Sequence, residues 1–501
     1  MAGPYDLLIR EALVYDGSGA VPAVADVAVE GARIALVGDA GGARGAEEVV
    51  ASGLALAPGF IDVHTHDDFA ALSHADMAFK TRGGVTTCIV GNCGFGAAPF
   101  AAAMELGGDL LAQAGLDAYD GHAGYARELE AGGIGANIGV LAGHGTIRMA
   151  AMGRAERAPE AAEMAAMKAS LREALDAGVL GLSSGLIYEP GRYAATEEIV
   201  ELATEMRGSG ALYATHMRDE STGLLDSVNE AIAIGAGAGV PVQISHHKAA
   251  GRDAWGLVTQ SLQLIEAAQG RGESVHADQY PYTAGSTMLR AVLQNGAFAE
   301  TTGGDAGIAS ARPADVVIAS APGHPEWEGA SIEMLATQFA LPPRAAAERV
   351  AQEAPGTSVV LHMMSEEDVS TVMRHPSTMI GSDGIPTLDG KPHPRLYNSF
   401  ARVLGHYARD QGLMAMETAV HRMTGMAADK FGLRDRGYIR PGAFADLVLF
   451  DPEAVIDKGT FEDPNQYPAG IVHVFVNGGQ VVRDGLATQS RPGQVLRRQP
   501  D

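Results

Sequence analysis

PGFIDVHTHDD, at residues 58–68, joins a short apolar run directly to a pair of histidines. The run is typical of a buried strand, and the residues at its end are ligand types for a metal ion. Alternate side chains of a strand point to the same side, so His64 and His66 can bind one ion. A buried strand that ends in such residues is typical of α/β folds, which carry their sites at the carboxyl ends of parallel strands.

The same pattern occurs eight times along the middle of the chain, and helical segments separate most of the repeats. The predicted strands cover residues 59–64, 85–91, 136–143, 178–184, 211–216, 241–247, 274–280 and 378–383. The clearest helical segments are residues 159–178, 196–210, 223–239 and 258–272, each of which closes on a glycine. Eight alternating units predict an α/β protein with a TIM-like (β/α)₈ barrel.

Three other regions do not fit the barrel pattern. Residues 1–57 and 431–501 contain short alternating runs around Gly and Asp, which predict one small β-sandwich domain formed by both termini. The barrel is then expected at residues 58–430. Residues 281–377 separate the last two strands, far more than the roughly two to six residues usual for such a loop. We therefore expect an inserted subdomain at about residues 287–350, close to the active site.

Composition limits the function classes. The 501 residues are 46% hydrophobic and 19% charged, with a formal net charge of −25. That charge argues against nucleic acids and anionic membranes as partners, because both need a positive surface.

Cys88 and Cys93, if they share a strand, are roughly 16 Å apart, too far for a disulfide. Without a basic leader or a long apolar run, we expect a cytoplasmic protein that acts on a small molecule, and its oligomeric state stays open.

Metal-ligand residue types recur at the ends of the predicted strands. They are His64, His66, Cys93, His216, His246, His247 and Asp383. A single histidine or aspartate at such a place is more often structural than functional. Because strand alternation points His247 away from His246, we exclude it from the site. The remaining set, collected at one end of a barrel, predicts a metal centre.

These motifs resemble those of a known family. PGFIDVHTHDD resembles the opening of the amidohydrolase superfamily, and GYIRPGAFADLVLFDP (437–452) resembles its return into a small β domain. Several further segments are similar to the N-acyl-D-amino-acid deacylases. They are GVTTCIVGNCGFGAAP (84–99), ATHMRDES (214–221), ISHHK (244–248), YPYTAGST (280–287), GSDG (381–384) and HPR (393–395). The resemblance runs over nearly the whole chain.

The resemblance implies an activity and a set of roles. The activity is zinc-dependent hydrolysis of N-acyl-D-amino acids to a carboxylate and a free D-amino acid. Cys93, His216 and His246 would bind a tight zinc, and His64 and His66 would help form a second, weaker metal position. Asp383 would act as general base and then acid on the water that attacks the amide. The residues that would hold the substrate carboxylate are Lys248, Tyr280, Ser286 and Arg395.

Two alternatives remain at this point. Many relatives in the superfamily bridge two metals with a modified lysine at the end of the fourth strand, but residues 178–190 contain no lysine. A thiolate from Cys93 suits zinc in that place, and a Cys, His, His set leaves a fourth position for water. The missing lysine counts against a hydrolase of cyclic amides such as hydantoins or dihydropyrimidines. A non-catalytic assembly protein with this fold would be expected to lose ligands, and none is missing here.

Overall fold

Eight parallel strands form the barrel, and they occur in it in chain order. A computed structural model describes residues 5–107, 116–298, 311–388 and 390–498. Barrel strands 1 to 8 are Phe60–Asp62, Val85–Val90, Asn137–Gly143, Gly181–Gly185, Leu212–His216, Val242–Ile244, Val275–Gln279 and Thr378–Ile380. Every one lies within or overlaps a segment predicted from sequence, so the (β/α)₈ prediction is confirmed.

The seam between barrel strands 1 and 8 closes at their carboxyl ends. Thr65 and Gly384 form a parallel bridge there. The backbone N–H of Asp383 donates to His64 O at 2.7 Å, and that of His66 donates to Gly384 O at 3.0 Å. The closure therefore holds the two histidines of barrel strand 1 beside the aspartate of barrel strand 8.

Helices cover the outside of the barrel. Four α-helices form within the segments predicted to be helical: Ala161–Ala177, Thr196–Ala203, Leu224–Ala238 and Val258–Gly270. The further α-helices are Ala70–Ser73, Ala78–Thr81, Phe100–Gly107, Gly121–Gly132, His144–Met152, Glu366–Arg374, Arg395–Arg402, Met416–Met423 and Gly425–Lys430. A π-helix covers Val403–Asp410. Ala161–Ala177 begins with a capping box between Glu160 and Glu163 and ends at Gly178, which has φ +94°. Its Leu171 is fully buried in the main apolar core, and Leu171→Ala would cost about 2–5 kcal/mol of stability.

Both termini contribute to a second sheet of nine strands. Its strands are Tyr5–Val14, Ala23–Glu30, Arg33–Gly38, Gly45–Val50, Ala55–Pro58, Leu447–Phe450, Ile471–Val476, Gly479–Arg483 and Leu486–Ala487. Ala55–Pro58 pairs antiparallel with Leu447–Phe450, which joins the two ends of the chain. The sheet has its own apolar core, which includes Val27, Leu56 and Phe475. Beyond it, Val495–Leu496 returns to the barrel and pairs with barrel strand 3.

An inserted subdomain lies between barrel strands 7 and 8, as predicted, but it is longer than expected. Its antiparallel sheet consists of Ala284–Met288, Ser358–His362 and Val316–Ser320, in that order, with helices Leu289–Gln294, Ile332–Phe339 and Pro343–Glu353. The pairing of Ala284–Met288 with Ser358–His362 extends the insertion past both predicted ends, 287 and 350. Residues 299–310 of the predicted span lie outside the described residues.

Two smaller expectations can be compared with the structure. Cys88 and Cys93 are both buried and free of any disulfide, and Cys88 belongs to the apolar core. A bilayer-spanning helix was not expected, and the part of the chain that the structure describes contains none of sufficient length and apolarity. The cytoplasmic location stays a prediction.

Candidate metal centre

Cys93 lies at the middle of a cluster of imidazoles at the carboxyl end of the barrel. Its Sγ is 3.3 Å from His64 Nε2 and 3.5 Å from His246 Nε2. The ring of His216 is centred 4.3 Å from that of His246. The three histidines come from barrel strands 1, 5 and 6, so the fold brings together ligand types that are far apart in sequence.

The loops that carry these residues turn sharply. Cys93, His246 and Asp383 all have positive φ, at +55°, +35° and +50°. A non-glycine residue in this region costs roughly 1–3 kcal/mol, and such residues concentrate at functional sites. Gly185, at the end of barrel strand 4, supports the Cys93 loop from below. A Cβ on Gly185 would lie 2.1 Å from Cys93 O, so only glycine fits there.

The electrostatics favour a thiolate. Burial would raise the pKa of the Cys93 thiol, but the neighbouring His64 and His246 outweigh burial and hold the pKa well below its usual value. Burial lowers the pKa of His216, so this imidazole is neutral near pH 7. Neither ring nitrogen of His216 makes a hydrogen bond to any described residue, although the side chain is buried. A buried imidazole whose ring nitrogens make no hydrogen bond fits a metal ligand.

Two groups of ligand atoms are close enough to hold ions. The first group is His64, Cys93, His246 and Asp383, and the second is His216, Glu220 and His246. Within each group, the ligand atoms lie within 4.8 Å of one another. A soft thiolate with imidazoles and a carboxylate is a donor set typical of zinc. His246 belongs to both groups, so two ions would share one wall of the site.

Asp383 lies between the cluster and a buried cation. Its Oδ1 is 3.2 Å from His66 Nε2 and 3.4 Å from His64 Nε2, and its Oδ2 is 2.9 Å from Arg395 Nη2. Burial would raise the pKa of the Asp383 carboxyl, but Arg395 and the histidines His246 and His64 lower it well below its ordinary value. The carboxylate is therefore ionised and can accept a proton.

The four residues expected to hold a substrate carboxylate do not all face the same space. Lys248, Tyr280 and Ser286 line a cavity of about 810 Å³ together with Cys93 and Asp383. Arg395 is only 1% exposed and lies under the ring of Tyr280, with its guanidinium carbon 4.4 Å from the ring centre. The Nε and Nη1 atoms of Arg395 and the hydroxyl of Tyr280 have no hydrogen-bond partner among the described residues. These unpaired donors are suited to an anion.

Glu220 is a site residue that the sequence did not reveal. Its Oε1 is 2.6 Å from Lys248 Nζ and 2.9 Å from His246 Nδ1, and its Oε2 is 3.5 Å from His216 Nε2. Burial would raise the pKa of the Glu220 carboxyl, but Lys248 and the two histidines lower it, so Glu220 is ionised. Lys248 therefore already has an anionic partner. An acid four residues after a candidate ligand, in ATHMRDES, was the available signal.

Asp278 and Tyr188 were also missed. Asp278, in barrel strand 7, accepts a hydrogen bond from the backbone N–H of His246 at 2.7 Å and lies 3.2 Å from His64 Nδ1. Tyr188, just past barrel strand 4, lines the cavity, and its ring is centred 4.8 Å from that of His216. No sequence pattern marked Tyr188.

His247 points away from the site, as predicted. Its Nε2 lies 2.8 Å from the hydroxyl of Ser261 on the helix Val258–Gly270, outside the barrel.

Comparison with known proteins identifies relatives along the whole chain. The model of a family described as the amidohydrolase family matches residues 47–482. A D-aminoacylase from Alcaligenes xylosoxydans xylosoxydans is 41% identical over 99% of this chain and 98% of its own length. An N-acyl-D-aspartate deacylase from the same organism is 40% identical over 98% of this chain and 95% of its own length.

A solved structure also resembles the chain over nearly its whole length. It is an N-acyl-D-glutamate deacylase from Bordetella bronchiseptica, complexed with zinc and with a phosphonate inhibitor described as a mimic of the tetrahedral intermediate. The two proteins are 37% identical and superpose with a TM-score of 0.88, over 98% of this chain and 99% of the other.

Proposed function

The chain belongs to the amidohydrolase family, and we propose that it hydrolyses N-acyl-D-amino acids to a carboxylate and a free D-amino acid. The observation that carries this proposal is the position of an ionised Asp383 beside the Cys93 cluster, with both lining one cavity. The cavity, of about 810 Å³, has the size of a small-molecule site. The three relatives described above are all named for D-amino-acid substrates.

Zinc is the metal that this donor set fits. We assign Cys93, His216 and His246 to the tight position, and His64 and His66 to a second, weaker one. Zinc bound there would polarise the amide carbonyl and lower the pKa of water. Glu220 and Asp278 orient the ligands, because Glu220 Oε1 lies 2.9 Å from His246 Nδ1 and Asp278 accepts a hydrogen bond from the His246 backbone N–H.

Asp383 moves the proton in this reaction. Its carboxylate takes a proton from the water whose oxygen forms the new bond to the amide carbon. The same carboxyl then gives the proton to the amine nitrogen as the carbon–nitrogen bond breaks. His66 and Arg395 hold the carboxylate in place from two sides, at 3.2 and 2.9 Å.

The substrate carboxylate is assigned to Lys248, Tyr280, Ser286 and Arg395. Lys248 carries a charge close to the cavity, and the Tyr280 hydroxyl can donate a hydrogen bond that nothing in the described residues accepts. The unpaired Nε and Nη1 atoms of Arg395 lie behind Tyr280. The Tyr280 hydroxyl is an unpaired donor of this set that lines the cavity, and a free carboxylate on the substrate would accept from it, whereas the rings of hydantoins and dihydropyrimidines lack that group.

The preference for one enantiomer of the substrate follows from holding two of its groups in fixed places. If the scissile carbonyl lies at the Cys93 cluster and the carboxylate lies at Lys248 and Tyr280, the side chain has one remaining direction. The opposite hand would direct it into the wall of the cavity. The choice of D over L comes from the named substrates of the relatives.

The test is a screen of N-acetyl amino acids as enantiomer pairs, with zinc-loaded protein and released amine as the readout. The pairs would be alanine, methionine, aspartate and glutamate, with hydantoin as the cyclic amide. We expect release from at least one D compound, less than about 1% of that rate from its L partner, and no ring opening. Equal rates for both hands, or ring opening alone, would refute the proposal.

A further inference from the structure

A buried lysine lies directly behind the metal centre. Lys80, in the short helix Ala78–Thr81, is 2% exposed. Its Nζ donates to Asp62 Oδ2 at 2.8 Å, Thr65 Oγ1 at 2.9 Å and Ser382 Oγ at 2.8 Å. An ammonium group has three N–H donors, so these three acceptors use all of them. Lys80 does not line the cavity, and the mechanism proposed above gives it no role.

The three acceptors flank the residues that carry the chemistry. Thr65 lies between His64 and His66, and Ser382 directly precedes Asp383. Lys80 therefore contacts both sides of the seam between barrel strands 1 and 8. These contacts lie where His64, His66 and Asp383 follow the two strands.

Hydrogen bonds of side chains connect the two strands along much of this seam. Asp62, at the end of barrel strand 1, accepts hydrogen bonds from both the backbone N–H and the hydroxyl of Ser382, at 2.8 and 2.6 Å. Past the ends of barrel strands 1 and 8, Thr65 and Gly384 form a parallel bridge. It is the one such bridge between these two segments among the described residues. A Cβ on Gly384 would lie 3.0 Å from Lys80 Nζ, so the lysine fills the seam closely.

Charge reinforces the arrangement. Burial alone would lower the pKa of the Lys80 ammonium, but Asp62 and Asp67 outweigh burial and raise it. Asp67 Oδ2 is 3.4 Å from Nζ, and neither carboxylate is exposed. Removing the cation would leave two buried carboxylates facing each other, which is strongly unfavourable. The strands would then separate where they carry His64, His66 and Asp383.

We propose that Lys80 is a positioning residue for hydrolysis, which holds the pair His64 and His66 in register with Asp383 across the barrel seam. This inference rests on the proposed function for its kinetic consequence only. Its consequence for metal binding is independent of the substrate.

The test compares Lys80→Met with Arg436→Met. Arg436 is also a buried cation, 4% exposed, and it pairs with the buried Asp446 beside the small sheet domain. Both changes remove a buried cation, and they leave Asp62 and Asp67 or Asp446 without it, so loss of general stability should appear in both. The measurements are zinc binding to the metal-free proteins, melting temperature, and kcat and KM for the best substrate.

We expect Lys80→Met to weaken the second, His64 and His66 metal position by roughly 10- to 100-fold and to leave the tight position unchanged. Its kcat should fall by on the order of 10²-fold with KM nearly constant, because Asp383 is displaced and the carboxylate-binding residues are not. Arg436→Met should lower the melting temperature and change neither the zinc affinity of the second position nor kcat. A Lys80→Met protein that matches Arg436→Met in zinc binding and kcat would overturn the proposal.

If Lys80→Met does not fold, two milder variants decide the matter. Thr65→Val and Ser382→Ala each remove one acceptor of Lys80 and keep its charge. Each should show the same pattern with smaller losses, roughly tenfold in kcat and in the weaker zinc affinity. Wild-type values in both variants would overturn the proposal. If the wild-type protein hydrolyses no N-acyl-D-amino acid, the function fails, while the zinc-binding comparison still tests Lys80.

Discussion

At the scale of single residues, the chemistry depends on an ionised carboxylate held between two histidines and a guanidinium. Asp383 contacts His64, His66 and Arg395, which hold its pKa well below the ordinary value, so the carboxyl is ionised near neutral pH. The contact with Arg395 also means that these two residues cannot be separated fully by mutation. Arg395→Ala would remove the guanidinium that pairs with Asp383 and would therefore also change the proposed base.

Asp383→Asn isolates the proton transfer. The amide keeps the shape of the side chain but cannot take the proton from water, so kcat should fall by about two to four orders of magnitude. Tight zinc should be retained, because Cys93, His216 and His246 are untouched. Steady-state kinetics with metal analysis would check both expectations.

Asp457→Asn provides a matched control. Asp457 is also a partly buried carboxylate paired with an arginine, Arg402, at 2.7 Å, and its side chain is 11% exposed against 10% for Asp383. It should keep wild-type kcat. Loss of tight zinc from Asp383→Asn would show that Asp383 is a ligand first, and the proton-transfer role would have to be withdrawn.

At the scale of elements, the site depends on how closely the strand ends approach one another. The loop that carries Cys93 rests on the end of barrel strand 4 at Gly185, where a Cβ would lie 2.1 Å from Cys93 O. The position of the Cβ is fixed by the backbone of residue 185, and the atom that it would meet is a backbone carbonyl oxygen. No rotamer change can therefore relieve the contact. One methyl group here would move a metal ligand.

Gly185→Ala should therefore displace Cys93. We expect weaker zinc binding and a fall in kcat/KM on the order of 10²-fold. Gly270→Ala is the control, because Gly270 lies in the helix Val258–Gly270 and a Cβ added there would meet no atom of a neighbouring element within 4 Å. It should leave zinc binding and activity unchanged and should be neutral or slightly stabilising. Zinc titration of both proteins is decisive, since equal affinities would contradict the proposed contact.

The order of the elements could be predicted because each strand is a local apolar run that ends in a polar residue. The contacts within the site could not, because they join distant parts of the chain. Lys80 and Ser382 are 302 residues apart in sequence, and Gln243 and Asp278 belong to different strands. The insertion was underestimated for the same reason, since Ser358–His362 pairs with Ala284–Met288 and Val316–Ser320, which are distant from it in sequence.

The site residues divide in the same way. Sequence placed Cys93, His216, His246, His64, His66 and Asp383 at strand ends, and the structure brings them together. Glu220, Asp278 and Tyr188 were missed, because an acid or a tyrosine near a strand end is too common to stand out. Lys248 was found, but its ion pair with Glu220 at 2.6 Å was not.

At the scale of the whole molecule, a half-buried histidine ties stability to pH. Burial and the nearby Lys430 lower the pKa of His276, at the start of barrel strand 7, to about 4. The unfolded chain protonates this residue near its ordinary value of about 6.5. Below that pH the unfolded state binds the additional proton, so the stability from His276 is complete above about 6.5 and is lost as the pH falls toward 4.

Unfolding of metal-free protein at pH 7.5 and at pH 4.5 should show this loss. We expect wild type to lose more unfolding free energy than His276→Gln over that interval, by at most about 3 kcal/mol. Denaturant titrations of the two proteins at both pH values give the double difference, which removes the contributions of all other groups. An identical pH dependence in the two proteins would show that His276 titrates normally.

If the cluster around Cys93 is a zinc centre, zinc content must depend on one of the two cysteines of the chain and not on the other. Both are buried, but Cys88 lies in the apolar core while Cys93 lies among the histidines. Zinc content should be determined on wild type, Cys88→Ala and Cys93→Ala after removal of loosely held metal. We predict roughly one zinc ion per chain in the first two proteins and almost none in Cys93→Ala. Full zinc content in Cys93→Ala, or its loss from Cys88→Ala alone, would contradict the account.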